Sequence, residues 1–365
     1  MSEMPEWKKL MRDSLRRGAD VAELSPEEQA EVDEVRKLYP FFSNAYYTGL
    51  IEKKDDPIWK QVIPSAQELE DPDLYSNDAL EEDGEDSPVK HLTHRYPDRV
   101  LFTVTYTCAI YCRFCTRKRK VGLNPVPPWH EMEAVFDYLR EHTEVRDVLL
   151  SGGDPLLLSD AQLDWILTEL RSIPHIEILR IGTKLPCVLP QRITPELVEM
   201  LKKHHPLYIN THFNHPRELT PEAEKACALL ADAGIPLGCQ TVLMKGINDD
   251  VEVMKELMLG LLRMRVKPYY LYQADLVTGT SHFRTDVQVG LDIMEGLQGH
   301  ITGFAVPTYI IDAPGGGGKM AVGPNRLVEL NEEEAVMRNY EGKTFRYPAR
   351  AGSGVPEGTL IQDYV

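Results

Sequence analysis

The sequence is organised around the segment Thr105-Tyr-Thr-Cys108-Ala-Ile-Tyr-Cys112-Arg-Phe-Cys115-Thr-Arg117, whose first residues end the apolar run 100–106. Its three cysteines, spaced C-x3-C-x2-C, can bind three irons of a [4Fe–4S] cluster, whereas most four-iron clusters use four cysteines. The fourth iron then keeps an open position for a small ligand. A zinc loop is the alternative, but zinc sites usually combine two similar ligand pairs, and the sequence has no second pair.

The length and composition limit the class of protein. The 365 residues, of which 42% are hydrophobic, can build one large α/β domain or two ordinary domains with a substantial core. The net charge of −17 argues against nucleic acid or an anionic membrane as a partner. No apolar run is long enough to span a membrane, and the N-terminus lacks a signal-peptide core. An oxygen-sensitive cluster and three scattered cysteines, interpreted as buried thiols, favour a cytoplasmic protein.

Residues 1–90 are predicted to form an acidic, helical N-terminal region. Ser25 is a predicted helix N-cap, because a proline follows it and Glu28 stands three residues later. A second helical segment is predicted near 41–51. The acidic, turn-rich run 80–88 predicts a solvated linker or loop.

From Arg99 onward, predicted strands alternate with predicted helices, which implies a parallel sheet and an α/β fold. The predicted strands are 99–106, 146–151, 177–182, 206–212, 236–244, 266–273 and 306–312. The predicted helices are 129–142, 159–172, 194–204, 219–233, 250–264 and 284–298. This pattern alone does not separate a barrel from a doubly wound sheet.

Unusual polar residues and glycines follow the predicted strands. Gly152, Gly153 and Asp154 follow the second strand, where glycines would let the backbone approach a ligand closely. An ordinary turn between a strand and a helix is the alternative. The other polar residues in or after predicted strands are His212, Gln240 and Asp275.

The segment Asp312-Ala-Pro-Gly-Gly-Gly-Gly-Lys319 is the second strong signal. Four glycines predict a mobile or tightly bent loop that carries one lysine, and a lysine amine can attack a carbonyl such as the aldehyde of pyridoxal phosphate (PLP). A phosphate-binding loop is the alternative, but the Walker pattern requires Ser or Thr after the lysine. Arg95 and Arg99 precede the first strand and could bind the PLP phosphate; surface charge is their alternative role.

These segments together resemble the lysine 2,3-aminomutase family of the radical S-adenosylmethionine (SAM) superfamily. The similarity extends from about residue 87 to residue 325 and includes LTHRYPDRV, RDVLLSGGDPLL, NTHFNHP and DAPGGGGK. The resemblance implies a partial (β/α)6 TIM-like barrel with an N-terminal helical region and a short C-terminal extension. The expected division is 1–90 for the N-terminal region and acidic linker, 91–312 for the barrel, and 313–365 for the lysine loop and tail.

The resemblance also implies roles for individual residues. Cys108, Cys112 and Cys115 would bind the cluster, and Lys319 would form a Schiff base with PLP, whose phosphate would lie near Arg95 and Arg99. The positions expected near SAM are Phe114, Gly152, Gly153, Asp154, His212 and Gln240.

Three further residues are expected to bind the substrate. Arg117 would bind its carboxylate, because a guanidinium offers a bidentate contact. Asp275 and Asp312 fall on the positions around the lysine ε-ammonium, and two anions in a dry pocket demand a cation. A helix cap is the alternative role of Asp275, and a turn residue before Ala-Pro is that of Asp312. The expected enzyme is therefore an isomerase that converts L-lysine to L-β-lysine by exchanging the 2-amino group with a 3-hydrogen.

Several alternatives remain open. The same chemistry could act on arginine, on another amino acid or on a protein-bound lysine; a glutamate-specific enzyme is disfavoured by the two aspartates. A radical SAM enzyme without PLP and a non-enzymatic metal-binding protein are the other classes.

The C-terminal tail departs from longer members of the family, whose zinc site is completed by a cysteine at the position of Asp250. No cysteine follows Cys239, so no structural zinc is expected, and a homodimer is favoured over a tetramer. The expected partners are an amino-acid substrate and a reductant such as flavodoxin or ferredoxin.

Overall fold

The computed structural model describes residues 4–123 and 126–350. Its N-terminal region contains four short helices, in which Ser25 caps α2 as expected. The helices are α1 (Glu6–Arg12), α2 (Pro26–Val35), α3 (Ala45–Thr48) and α4 (Pro57–Val62). Val32, Tyr47 and Trp59 of this region belong to the same hydrophobic core as the strands and helices that follow. The predicted boundary near residue 90 therefore separates two regions of sequence that share one core.

Nine strands form one sheet in the order of the sequence. They are β1 (Leu92–Tyr96), β2 (Arg99–Thr105), β3 (Asp147–Gly152), β4 (Ile178–Gly182), β5 (Leu207–Thr211), β6 (Leu237–Leu243), β7 (Lys267–Gln273), β8 (Thr308–Ala313) and β9 (Gly318–Val322). Strands β2 to β8 are parallel, and β1 and β9 add to the two edges in antiparallel orientation. All seven strands predicted from the alternating pattern are confirmed.

The six helices predicted between these strands are also confirmed. The helices after β2 are α5 (Trp129–Glu141), α6 (Asp160–Arg171), α7 (Leu185–Val188), α8 (Pro195–Lys202), α9 (Pro221–Asp232), α10 (Val251–Arg263) and α11 (Val287–Leu297). The one-turn helix α7 was not predicted. Ser159, Thr194 and Thr220 cap α6, α8 and α9 by accepting backbone N–H groups.

The sheet curves until its two edge strands approach one another. The Lys319 N–H on β9 donates to the Tyr96 hydroxyl on β1 at 3.0 Å. The helices pack on the outside, and the carboxyl ends of the seven parallel strands open on one side. The fold is therefore the expected partial TIM-like barrel, in which functional groups gather at the carboxyl ends of the strands.

The C-terminal region contains more strand than the sequence analysis expected. The glycine-rich segment is the tight turn of a hairpin between β8 and β9, where Gly315, Gly316 and Gly318 have positive φ values of 69°, 72° and 81°. A separate antiparallel sheet follows, formed by β10 (Leu327–Leu330), β11 (Glu334–Arg338) and β12 (Thr344–Pro348). The rest of the predicted tail, residues 351–365, lies outside the described residues.

Asp250 and the lengths of the helices complete the description of the fold. Asp250, at the position expected for a zinc cysteine in longer relatives, caps α10 by accepting the Glu252 and Val253 N–H groups. None of the helices in the described part of the chain is long and apolar enough to cross a membrane.

Candidate active site

The cysteine loop, residues 106–120, follows β2 at the open side of the barrel. Cys108, Cys112 and Cys115 are free thiols that are partly exposed. The Cys115 N–H donates to the Cys112 carbonyl at 3.2 Å, and the Arg117 N–H donates to Cys115 Sγ at 3.3 Å. Burial raises the pKa of Cys112 to about 12. At Cys108, burial raises the pKa first and the two neighbouring cysteines add to the shift, so the three thiols lie in one neighbourhood.

Within residues 4–123 and 126–350, no three His, Cys, Asp or Glu side chains surround a point where a single metal ion would bind. In a [4Fe–4S] cluster the cysteines bind different irons, so three thiols need not converge on one point. The assignment of Cys108, Cys112 and Cys115 to a cluster stays a prediction from their spacing.

A buried ion cluster of Glu68, Arg113 and Lys118 holds the cysteine loop against the N-terminal region. Arg113 donates to the Glu68 carboxylate from Nε at 2.9 Å and from Nη2 at 2.5 Å, and Lys118 Nζ donates to it at 2.7 Å. Burial would raise the pKa of Glu68, but the charges of Arg113 and Lys118 lower it. The sequence analysis missed this cluster, because Glu68 precedes Arg113 by 45 residues and no local pattern connects them.

The glycines that end β3 pass close to the start of the cysteine loop. A Cβ atom at Gly152 would lie 2.2 Å from the Thr105 carbonyl oxygen, and one at Gly153 would lie 2.4 Å from the Thr107 carbonyl oxygen. Gly152 also has a φ of 123°, which disfavours any other residue. These glycines let two backbone segments meet, whereas the sequence analysis expected them to admit a ligand.

Asp154 joins the ends of β3 and β4. Its buried carboxylate accepts the Thr183 hydroxyl at 2.7 Å and the Lys184 N–H at 2.8 Å. Burial raises the pKa of Asp154 to about 6, against the opposing effect of these hydrogen bonds. The side chain therefore fixes two strand ends that border the cysteine loop.

His212 and Gln240 lie side by side at the open end of the barrel. Gln240 lies beside His212 and donates from Nε2 to the Tyr272 hydroxyl at 3.3 Å. Burial and the charge of Lys184 lower the pKa of His212 to about 4, so the ring is neutral near pH 7. The Lys184 amine also lies 6.0 Å from the centroid of the Phe114 ring, beside the cysteines. The sequence analysis gave Lys184 no role, although it follows a predicted strand.

Asp312 and Lys319 stand opposite one another in the hairpin of β8 and β9. Lys319 Nζ lies 3.0 and 2.9 Å from the two carboxylate oxygens of Asp312. Directly opposed residues share a face of an antiparallel pair, so the glycine turn aligns these two side chains. The same amine lies 5.0 Å from the centroid of the Tyr272 ring. Lys319 is thus carried by a paired strand, which corrects the expectation of a loop lysine.

Arg95 and Arg99 lie on either side of Tyr96. The Arg99 guanidinium is 4.0 Å from the centroid of the Tyr96 ring, whose hydroxyl accepts the Lys319 N–H. A Cβ atom at Gly316 would lie 3.5 Å from Arg95 Nη2. Arg95 Nε donates to Asp86 at 2.6 Å, and Arg99 Nη1 donates to Asp98 at 2.9 Å. The assignment of the two arginines to a phosphate stays a prediction.

Asp275 follows β7 and is partly buried. Its carboxylate accepts no hydrogen bond from the described parts of the chain. Burial raises the pKa of Asp275, and the charge of Asp312 raises it further, to about 7, against the opposing charge of Lys319. Asp275, Asp312 and Lys319 thus form one electrostatic cluster with a carboxylate that can accept a cation.

Arg117 is bound by a carboxylate that the sequence analysis missed. Its guanidinium donates to Glu82 from Nε at 2.8 Å and from Nη2 at 2.6 Å. The sequence analysis expected Arg117 to bind the substrate carboxylate and the run 80–88 to be solvated. The opposite charges of that run and of Arg117-Lys-Arg-Lys120 were a signal that could have indicated this contact.

The predicted site residues lie in two connected groups. The cysteine loop is connected through Arg117 and Glu82 to Asp275, whose pKa responds to the charges of Glu82 and Lys319. A second connection runs from His212 through Gln240 and Tyr272 to Lys319. The arrangement joins a set of thiols to an amine and two carboxylates at the open side of one barrel.

The chain is similar to two family models and to several known proteins. Residues 102–258 match the family model described as the radical SAM superfamily, and residues 294–357 match the one described as lysine-2,3-aminomutase. The chain is 53% identical to the L-lysine 2,3-aminomutase of Fusobacterium nucleatum, over 89% of this chain and 77% of the relative. It is 52% identical to the L-lysine 2,3-aminomutase of Clostridium subterminale, over 89% and 78% of the two chains. It is also 46% identical to the glutamate 2,3-aminomutase of Clostridioides difficile, over 88% and 77%.

Proposed function

The chain belongs to the lysine 2,3-aminomutase family of the radical SAM superfamily, and from that premise we propose that it interconverts L-lysine and L-β-lysine. Membership makes the chain an isomerase that acts on a small molecule and uses a [4Fe–4S] cluster and SAM. Lysine as the substrate, PLP as the third cofactor and the roles of individual residues are parts of the proposal.

The pair Asp275 and Asp312 carries the choice of substrate. Both carboxylates face the cluster around Lys319, and Asp275 has no partner from the described residues. Two acidic groups in a partly buried site are stabilised by a bound cation and repel a bound anion. A lysine side chain satisfies this requirement, whereas a glutamate side chain would add another negative charge. The two aspartates therefore favour lysine over glutamate as the substrate.

The residues around the cysteine loop fit a cluster and SAM. Three free, partly exposed thiols lie in one neighbourhood, and Phe114, His212 and Gln240 border the same open side of the barrel. When bound, the cluster and SAM supply a carbon-centred radical that can remove an unactivated hydrogen. Gly152, Gly153 and Asp154 fix the backbone beside the loop, so we assign them to holding its shape.

The residues around the hairpin fit PLP. Lys319 offers an amine, and Arg95 lies beside the glycine turn. Arg95 and Arg99 are paired with Asp86 and Asp98, so a bound phosphate would take the place of these carboxylates. When bound, PLP would supply a conjugated ring system that spreads the unpaired electron while the nitrogen migrates. The Lys319 amine is held by Asp312, which keeps it on the face of the hairpin that points toward Tyr272.

The protein's own work is then one of positioning. Arg117 orients the carboxylate of the amino acid, and Asp275 and Asp312 bind its side-chain ammonium. Binding the substrate at both of these groups fixes the position of the carbon that reacts. Holding the reacting groups in the correct geometry lowers the entropy cost of reaching the transition state. A closed site also keeps water away from reactive species.

The proposal is tested by anaerobic incubation of the reconstituted enzyme with SAM, PLP, dithionite and one of L-lysine, L-arginine or L-glutamate. Amino-acid analysis should show a β-isomer from lysine and none from glutamate. Iron analysis of the same preparation should give about four irons per chain, as a cubane cluster requires. Isomerisation of glutamate alone would contradict the argument from the two aspartates.

The partners and location follow as further parts of the proposal. A cluster that must be reduced and six free cysteines fit a reducing cytoplasm, where a flavodoxin or ferredoxin would donate the electron. We also propose a homodimer and no structural zinc. Light scattering should give twice the mass of the chain, and metal analysis should give iron without stoichiometric zinc.

A further inference from the structure

The contact between Glu82 and Arg117 has no role in the function argued so far. The two side chains form a bidentate pair, and they are only 10% and 13% exposed. Burial would raise the pKa of Glu82, but the charge and hydrogen bonds of Arg117 lower it, so the carboxylate is ionised. The guanidinium assigned to the substrate carboxylate is therefore already neutralised by the protein.

The donors of Arg117 are almost fully used. Nε and one N–H of Nη2 donate to Glu82, and Nη1 donates to the Ser151 hydroxyl at 3.0 Å and to the Gly152 carbonyl at 3.2 Å. An arginine side chain has five N–H groups. One N–H of Nη2 is left without a partner from the described residues, so the guanidinium can offer one further hydrogen bond in a fixed direction.

The segment that carries Glu82 is anchored on both sides. Arg119 pairs with Asp78 at 2.6 Å and with Asp83 at 3.0 Å, and Lys120 also pairs with Asp83. Further along, Arg95 donates to Asp86 at 2.6 Å. Removing one partner of a buried ion pair leaves an uncompensated charge, which is costly. These contacts favour a carboxylate that stays on Arg117 over one that the substrate displaces.

The charge of Glu82 also acts on the other end of the site. It contributes to the raised pKa of Asp275, after burial and the larger effect of Asp312. Glu82 balances Arg117, and Asp312 balances Lys319, which leaves Asp275 as the unbalanced charge among these five groups. This single negative charge matches the single net positive charge of lysine.

We propose that Glu82 is a positioning residue that fixes the Arg117 guanidinium to donate one hydrogen bond to the substrate carboxylate, and that its charge excludes amino acids with a second carboxylate. The inference rests on the proposed function and deepens it. Without Glu82, the Arg117 guanidinium would lose the contact that fixes its direction, so it would donate less well to the α-carboxylate and could also turn toward the side chain of an acidic amino acid.

The test compares E82Q, which removes the charge, with E82D, which keeps the charge and shortens the side chain. E85Q is the matched control, because Glu85 is an exposed acid of the same segment and has no hydrogen bond or ion pair with the described residues. Equilibrium binding of L-lysine, L-lysinamide and L-glutamate is measured on the anaerobic holoenzyme without reductant, where no turnover occurs. The Tm, kcat and KM are measured on the same preparations.

We expect E82Q to weaken L-lysine binding and raise its KM roughly ten- to a hundredfold, which is the range for losing a hydrogen bond to a charged group. L-lysinamide binding should be almost unchanged, because it has no carboxylate. The ratio of lysine affinity to glutamate affinity should fall in E82Q and stay close to the wild-type ratio in E82D. E82D should still bind lysine more weakly than the wild type, because its side chain is shorter. E85Q should behave as the wild type.

Three results would overturn the inference. Tighter lysine binding by E82Q would mean that Glu82 is displaced by the substrate. If E82Q lost affinity equally for lysine and for lysinamide, Glu82 would have only a structural role. The same would follow if both Glu82 variants had a lower Tm but kept the wild-type ratio of lysine to glutamate affinity. If the wild type prefers arginine, only the proposed substrate fails, and arginine with argininamide then replaces the lysine pair. A wild type that prefers glutamate would overturn both proposals.

Discussion

The two ends of the site are held in different ways. The cysteine end, which is the cysteine loop and its buried ion cluster, is fixed by side chains at most 4% exposed and by backbone bonds to β3. The lysine end, which is the hairpin of β8 and β9, lies on an edge strand, and the Lys319 side chain is 36% exposed. The ligands of a large inorganic cofactor must be held in fixed positions. A lysine that exchanges partners during a reaction needs only to be held close to its site.

The difference also appears in the partners of the functional groups. At the cysteine end, Glu68 and Asp154 accept hydrogen bonds from Arg113 and Thr183, which are parts of the scaffold. At the lysine end, Lys319 pairs with Asp312, and both groups belong to the proposed machinery. Changes at the cysteine end should therefore affect stability and cluster content together, and changes at the lysine end should affect function alone.

Lys319→Ala should produce the largest effect. We expect turnover to fall on the order of 10⁴-fold or more, as when residues that form covalent intermediates are removed, with unchanged iron content and Tm. Turnover, PLP absorbance and iron content are the measurements. Met320→Ala is the control, because Met320 is the exposed next residue on β9 and points to the opposite face. Unchanged turnover in Lys319→Ala would support a radical SAM enzyme without PLP.

Glu68→Gln tests the cysteine end. The change leaves Arg113 and Lys118 buried without a counter-charge, so the free energy of unfolding should fall by about 3–5 kcal/mol. Iron content should fall as well, because both cations lie within the cysteine loop. Urea unfolding and iron analysis check this result.

The matched control for that variant is Glu334→Gln on β11. Glu334 pairs with Arg346, whose side chain is 54% exposed, and such surface pairs contribute about 1 kcal/mol or less. If Glu68→Gln and Glu334→Gln lost equal stability, the proposed difference between buried and exposed contacts would be wrong.

The sequence predicted the elements whose signals are local. Strands such as β2 and β7 alternate with helices that begin at a capping Ser or Thr, and each was found within a few residues of its expected bounds. The cysteine spacing and the lysine after four glycines are also local, so both were visible without a structure. The hairpin was mistaken for a loop because the pairing of β9 with β8 depends on a tight turn that glycine composition does not specify.

The sequence analysis missed the groups whose partners are far along the chain. Glu68 precedes Arg113 by 45 residues, and Glu82 precedes Arg117 by 35. An acidic residue can be buried when the fold brings a cation to it. A run of charged residues, judged from the sequence by itself, more often lies in solvent. The complementary charges of 78–86 and 117–120 predict an association only once β1 and β2 are known to bring the two runs together.

The pH dependence of substrate binding should give the smallest effect and tests the lysine end directly. Burial and Asp312 raise the pKa of Asp275 to about 7, and a bound ammonium requires the ionised carboxylate. Below that pH lysine must displace a proton, so kcat/KM should fall up to about tenfold per pH unit, while above it the profile should level off. His212 does not contribute between pH 6 and 8, because burial lowers its pKa to about 4. Asp275→Asn should bind lysine more weakly and lose this dependence, and a wild-type profile that is flat from pH 6 to 8 would show that Asp275 does not bind the cation.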